Sequence, residues 1–158
     1  SAIYASDLNR AFTTAQIIAA KHGLPVISVP DLREIRFGEW EGLTYKSIDE
    51  KWPGTFKKLF TCPDKVEIPG GESFAQLRDR AEKSINRLVA DHPDQTIIVV
   101  SHGGTIRTLL CAALDIKLAR LWNIKQDNTA VSIIEYFPDR AVIALVNDSH
   151  HLVGCDKI

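Results

Sequence analysis

The sequence predicts an α/β fold, a mostly parallel sheet with helices on its faces and an antiparallel hairpin late in the chain. Three observations carry this reading. Short apolar runs at Ala2-Ile3-Tyr4-Ala5, Pro25-Val26-Ile27-Ser28-Val29 and Thr96-Ile97-Ile98-Val99-Val100 alternate with stretches of helical periodicity, which is the pattern of β-α-β units. The third run leads directly into Ser101-His102-Gly103-Gly104, where two glycines let the backbone turn tightly from a strand into a helix. Ala130 to Phe137 and Ala141 to Val146 flank Pro138-Asp139-Arg140, the signature of a hairpin with a short turn.

The elements follow in order. Ser6-Asp7 reads as the end of the first strand and the N-cap of a helix. From Leu8 to about Lys21 an apolar stripe runs through Leu8, Ala11, Phe12, Ala15, Ile18 and Ala19, and His22-Gly23 stops it. Residues 30–72 are punctuated by Pro and Gly around short helical pieces, Ser47 to Trp52 and Phe56 to Phe60; such an excursion between sheet elements suits a substrate-covering segment, assigned to 43–72. Ser73 to about Asp91 is a long amphipathic helix with Phe74, Leu77, Ala81, Ile85 and Leu88 on one face. Thr96 to Val100 reads as a buried strand, and a helix from about Gly104 to Leu114 follows.

Composition narrows the function. The 158 residues, 45% of them apolar, suit one domain with a proper core. The 19 Lys and Arg nearly balance the 20 Asp and Glu, so no global field recruits nucleic acid or an anionic membrane. No apolar run reaches a bilayer span and no signal peptide opens the chain, so the expected compartment is the cytoplasm. Cys62, Cys111 and Cys155 are widely spaced without a C-x-x-C pair; they read as free thiols, with neither a disulfide framework nor a zinc site. Met is absent, including at position 1, and the expectation is a processed or internal portion of a longer chain.

Four segments place polar groups where strand ends of an α/β sheet converge. Arg10, in the first turn of its helix, can reach over a strand end and grip a phosphate with two parallel hydrogen bonds, or stand as a solvated surface residue. Leu32 to Gly42 carries Glu34, Glu39, Glu41, Arg33 and Arg36 among apolar residues. It offers a general acid raised by partial burial, or simply solvated charges beside buried Ile35, Phe37 and Trp40. In Pro69-Gly70-Gly71-Glu72-Ser73, Ser73 or Glu72 reads as a helix cap; with no strand before it, the segment is not a nucleophile elbow. His102 stands apart from His22, His92, His150 and His151, because a strand end, Gly-Gly and a helix start make a cradle whose first N–H groups face an anion such as phosphate.

Together these segments resemble the histidine phosphatase, or phosphoglycerate mutase-like, superfamily. Ser6 to Ala15 fits S-D-L-x-R-A-x-x-T-A, Leu32 to Gly42 fits L-x-E-x-x-F-G-x-W-E-G, Pro69 to Ser73 fits P-G-G-E-S, and Ser101 to Gly104 fits S-H-G-G. The closing stretch from Leu145 to Leu152 is also similar to the family's last strand and exit. The resemblance implies a three-layer α/β/α sandwich in which Arg10 and the Gly103 N–H bind the phosphoryl group, Glu34 is the general acid and His102 is the second active-site histidine. No site has convincing metal-ligand spacing, so neither a metal nor a cofactor is expected; the expected partner is a small phosphorylated substrate, and the expected state is a monomer or homodimer.

Family members open on a strand ending in Arg-His-Gly-Glu, whose His is the nucleophile. No such tetrapeptide occurs here, so the expectation is a single domain incomplete at its N-terminus, with the nucleophile upstream of residue 1. The compact stretch from Thr44 to Ile68 resembles the phosphatase members. The implied substrate is α-ribazole 5′-phosphate of the cobalamin pathway, with Tyr45, Trp52, Phe56 and Phe60 as an aromatic cap or as ordinary packing. A broad-specificity phosphatase, a cofactor-dependent phosphoglycerate mutase, and a catalytically dead phosphate-binding or regulatory module if the chain starts at Ser1 are the alternatives.

Overall fold

A computed structural model describes residues 1–154. The apolar runs form three parallel strands, β1 (Ala2–Ala5), β2 (Val26–Ser28) and β3 (Ile97–Val100), in the order β2-β1-β3. Register is set by β1, where Ile3 faces Val26 on one side and Ile98 on the other. Strand alternation then sends side chains to two helical layers. Ile3 and Ala5 meet Ala15 and Ala19 of helix α1 (Asn9–His22). Tyr4 meets Ala81, Ile85 and Leu88 of α4 (Phe74–Ala90) and Leu109 of α5 (Gly103–Ala113). The sheet is therefore the middle of three layers, as the resemblance implies.

Helix ends follow local chemistry. Gly23 closes α1 in the left-handed conformation, φ 64°, with its N–H on the Ala19 carbonyl. Ser73 caps α4 through a reciprocal pair with Gln76: the Gln76 N–H donates to Ser73 Oγ at 3.2 Å, and the Ser73 N–H donates to Gln76 Oε1 at 2.9 Å. The expected cap at Ser6-Asp7 is corrected. Leu8 is the N-cap of α1 and has no side-chain cap of its own; Ser6 Oγ accepts the Leu8 N–H, and Asp7 is drawn away by Arg33.

The excursion folds on its own core. Helices α2 (Tyr45–Lys51) and α3 (Thr55–Thr61) bury Ile48 and Leu59 with Trp40, Val66 and Ile68 against Phe74, Leu77, Cys111, Leu118 and Leu121. Trp40, Trp52, Phe56, Phe60, Trp122 and Phe74 form a chain of ring contacts, and Tyr45 joins it beside Phe56. Trp52 and Phe56 are half-buried, whereas Tyr45 and Phe60 are exposed. Cys62 and Cys111 are free thiols; Cys155 lies outside the described residues.

The hairpin expected late in the chain is present as β4 (Val131–Tyr136) and β5 (Ala141–Asp148), which form a separate two-stranded sheet. Among the described residues β3 pairs only with β1, so the run expected to be buried is an edge strand with all four residues half-buried. Cavities of about 340 Å³ and 170 Å³ lie along the seam between the hairpin and helices α4 and α5, neither touching the polar residues singled out above.

Two glycines lock the loops below the site. A Cβ on Gly38, at φ +50°, would lie 2.3 Å from the backbone of Pro69 and Gly71, and one on Gly71 would lie 2.6 Å from the Arg36 carbonyl oxygen. Gly38→Ala is accordingly expected to destabilise by about 3 kcal/mol or more, combining left-handed strain with a backbone clash. Gly23→Ala, at φ +64° with open space around the Cβ, is expected to cost about 1 kcal/mol. Urea unfolding of the two variants measures the difference, and equal losses would contradict the packing described.

Candidate active site

The C-terminal ends of β1, β2 and β3 lie at one edge of the sheet, and each hands the chain to a polar segment. After β1 comes Ser6, fully buried, whose N–H continues the ladder to the Val100 carbonyl at 3.0 Å. After β3 comes His102, 6% exposed, whose Nε2 lies 2.8 Å from Ser6 Oγ. The adjacent strand ends thus fix the imidazole. Burial is the largest influence on its titration and pushes it below the ordinary histidine range; the Arg10 charge pushes the same way, while the Glu34 charge opposes it.

The chain beyond β2 supplies Glu34. Its Oε2 accepts from the Gly104 N–H at 2.9 Å, and its Oε1 accepts from the N–H groups of Ile35 at 3.0 Å and Thr105 at 3.2 Å. This corrects the reading of the α5 N-terminus as an open anion cradle. A carboxylate of this chain, contributed seventy residues upstream, already occupies it. Gly104 is obligatory for that seat, because a Cβ there would lie 2.5 Å from Glu34 Oε1. The Gly103 N–H makes no hydrogen bond among the described residues and remains available.

Arg10 is exposed in the first turn of α1, and its guanidinium has no hydrogen-bond partner among the described residues. The other charges of the acidic segment separate cleanly. Glu39 pairs with Lys51 at 2.9 Å in solvent and Glu41 is exposed, so only Glu34 turns inward. Arg33 grips Asp7 through two hydrogen bonds, one of 2.6 Å from Nε to Oδ1 and one from Nη2 to Oδ2; this grip holds the Asp7 carboxyl below the usual range. Among the described residues no group of His, Cys, Asp and Glu is arranged to hold a metal ion.

The sequence reading missed Arg80. From α4 its Nε and Nη2 donate to the two oxygens of Glu72 at 2.6 and 2.8 Å. Its Nη1 donates to the carbonyls of Asp31 at 2.6 Å and Arg33 at 2.9 Å, and its Nη2 to that of Glu34 at 3.1 Å. Glu72 is therefore no helix cap. A signal was present: Arg80 stands three residues after Leu77 and four before Ser84, both buried, so its charge borders the apolar stripe. Ser101 Oγ donates to the Leu32 carbonyl at 2.7 Å, and Thr105 Oγ1 donates to that of Arg33 at 2.9 Å.

Comparison with known proteins matches residues 1–149 to the histidine phosphatase superfamily (branch 1). Phosphoserine phosphatase 1 of Hydrogenobacter thermophilus is 36% identical over 150 residues, 95% of this chain and 71% of that protein. The metal-independent phosphoserine phosphatase of Arabidopsis thaliana is 36% identical over 153 residues, 96% of this chain and 63% of that one. Among solved structures, YhfR of Bacillus stearothermophilus superposes with a TM-score of 0.91 at 32% identity, covering 96% of this chain and 75% of that one. The α-ribazole phosphatase of Shigella flexneri gives 0.81 at 25% identity, covering 93% and 73%.

The geometry makes a prediction about His102. Its imidazole is expected to titrate with a midpoint below about 6.5, so its contribution to stability is intact above that pH and lost as the pH falls through the lower folded value. Arg10→Ala removes a neighbouring positive charge and is expected to raise the midpoint. Imidazole NMR titration reads both, and an unmoved midpoint would detach Arg10 from the site.

Proposed function

The chain belongs to the histidine phosphatase superfamily and is a phosphoric monoester hydrolase, and from that premise we propose that it hydrolyses a small phosphorylated metabolite through a phosphohistidine formed on a histidine upstream of residue 1. The observation that carries the reading is the grouping of Arg10, Glu34, buried His102 and the free Gly103 N–H at one sheet edge. A phosphoryl group in transfer spreads charge over several oxygens, and fixed donors stabilise it without reorganising. Arg10, exposed and with its guanidinium unpaired among the described residues, is the bidentate donor. His102 Nε2 is paired with Ser6 Oγ, and Nδ1 has no partner among the described residues; in the tautomer that carries its proton on Nδ1, the ring donates to a phosphoryl oxygen.

Glu34 serves as general acid and then base. As the nucleophilic nitrogen bonds to phosphorus and the ester P–O bond breaks, the departing alkoxide takes the Glu34 proton. Water then attacks phosphorus, Glu34 takes a proton from it, and the N–P bond breaks. Oε2 is the oxygen with room for that proton, since its one partner is the Gly104 N–H. The open edge of β3 supports an upstream nucleophile: a strand pairing parallel there would deliver its C-terminal residue beside His102. Residues 43–72 would cover the site in the cytoplasmic enzyme.

Two substrate readings have support. α-Ribazole 5′-phosphate is the one carried from the sequence; the exposed Tyr45 and Phe60 rings suit a planar leaving group, and the Shigella flexneri phosphatase is similar in structure. O-Phosphoserine is favoured by the relatives at 36% identity. A phosphatase panel on protein with a verified N-terminus, including both esters, p-nitrophenyl phosphate and 3-phosphoglycerate, decides among them; mutase turnover without hydrolysis would overturn the proposal, and inertness throughout would indicate a phosphate-binding module.

Hydrolysis is expected to persist in EDTA. His102→Ala and Glu34→Gln are each expected to lower kcat about a hundred-fold or more with the fold retained. Gly104→Ala is expected to approach Glu34→Gln, because it displaces the same carboxylate. Near-normal turnover in His102→Ala would remove that residue from the mechanism.

A further inference from the structure

We propose that Arg80, which meets Glu34 through its backbone carbonyl and not its carboxylate, is the positioning residue of the general acid: it sets where the Glu34 carboxylate stands by holding the backbone on which Glu34 is carried. The inference rests on the reading of Glu34 as the general acid. Residues 33–37 belong to no regular element, so their carbonyls find partners only in neighbouring side chains and backbone. Arg80 meets three of the carbonyls nearby, those of Asp31, Arg33 and Glu34 itself, at 2.6–3.1 Å.

Its orientation is fixed from the opposite side. The fork of Nε and Nη2 sits on both oxygens of Glu72, whose side chain is 11% exposed, while the Arg80 side chain is 22% exposed. Glu72 closes the frame, because its Oε2 accepts the Arg36 N–H at 3.3 Å and its own N–H donates to the Arg36 carbonyl at 2.9 Å. The planar guanidinium therefore ties one turn of α4 to both sides of Glu34. A Lys in its place has the charge but not the fork, and cannot serve two carboxylate oxygens and three carbonyls at once. The carboxylate's own seat on α5 fixes its far end, so loss of Arg80 would leave Glu34 attached to α5 but carried by a slack backbone.

The test is a double-mutant cycle for hydrolysis by the complete natural polypeptide. Arg80→Met is expected to lower kcat by about 100-fold, the scale of an ångström's misplacement. KM is expected to move by less than about threefold, because the phosphate ligands are untouched. In a Glu34→Gln background the same substitution is expected to have almost no further effect, since the group it positions is gone. An equal loss in both backgrounds would make Arg80 merely structural and overturn the proposal, as would an unchanged kcat. If Arg80→Met does not fold, Arg80→Lys takes its place in the cycle with the same expectation of lost additivity. Full activity in Glu34→Gln alone would show that the reading of Glu34 has failed, a result separable from failure of Arg80.

Discussion

The open end of the sheet depends on how residues 31–36 satisfy their polar groups. After its first turn this stretch has no helix or strand to pair it, yet it carries the one inward carboxylate of the acidic segment. Donors from three places close on it: Arg80 on α4, the Ser101 hydroxyl at the end of β3, and the Thr105 hydroxyl with the first N–H groups of α5. Each bond alone is modest, about 1 kcal/mol, with those to charged groups larger. Their convergence matters more than their sum, because a loop held at nearly every residue presents its side chain in a single place.

That convergence explains the spacing of glycines and arginines that otherwise look unrelated. Gly104 lacks a side chain because Glu34 lies against it, and Gly38 and Gly71 lack one because loops 36–39 and 69–72 pack backbone to backbone. The Glu39 N–H on the Pro69 carbonyl at 2.9 Å is one seam of that packing. Opposite Glu34, buried His102 is fixed through Ser6, so the acid and the imidazole are referenced to the same strand ends. Arg10 stays exposed, its guanidinium without a hydrogen-bond partner among the described residues.

The free edge of β3 and the detached hairpin belong to the same picture. A three-stranded sheet with one helical layer on each face leaves half-buried apolar residues along β3, and among the described residues β5 likewise pairs on one side only. Edges of this kind are covered or paired in stable proteins, because unpaired N–H and C=O groups beside apolar side chains invite another strand. The polar residues at the sheet end and the unpaired edge are neighbours through His102.

Much of this was legible along the chain. Periodicity identified α1, α4 and α5 to within a residue or two and all five strands, since burial on one face imposes 3.6 or 2. The Ser101 to Gly104 turn and Glu34 were legible as candidates because a strand end, two glycines and a carboxylate among apolar residues are local patterns. What the sequence could not specify was pairing between distant segments: that Glu34 takes the Gly104 and Thr105 N–H groups of α5, that Asp7 leaves its cap for Arg33, and that Glu72 turns from its helix to Arg80. Local periodicity reports which face of an element is buried. Only the packed structure decides which donor meets which acceptor, because those partners lie 26 to 70 residues apart or compete with a local cap of similar strength.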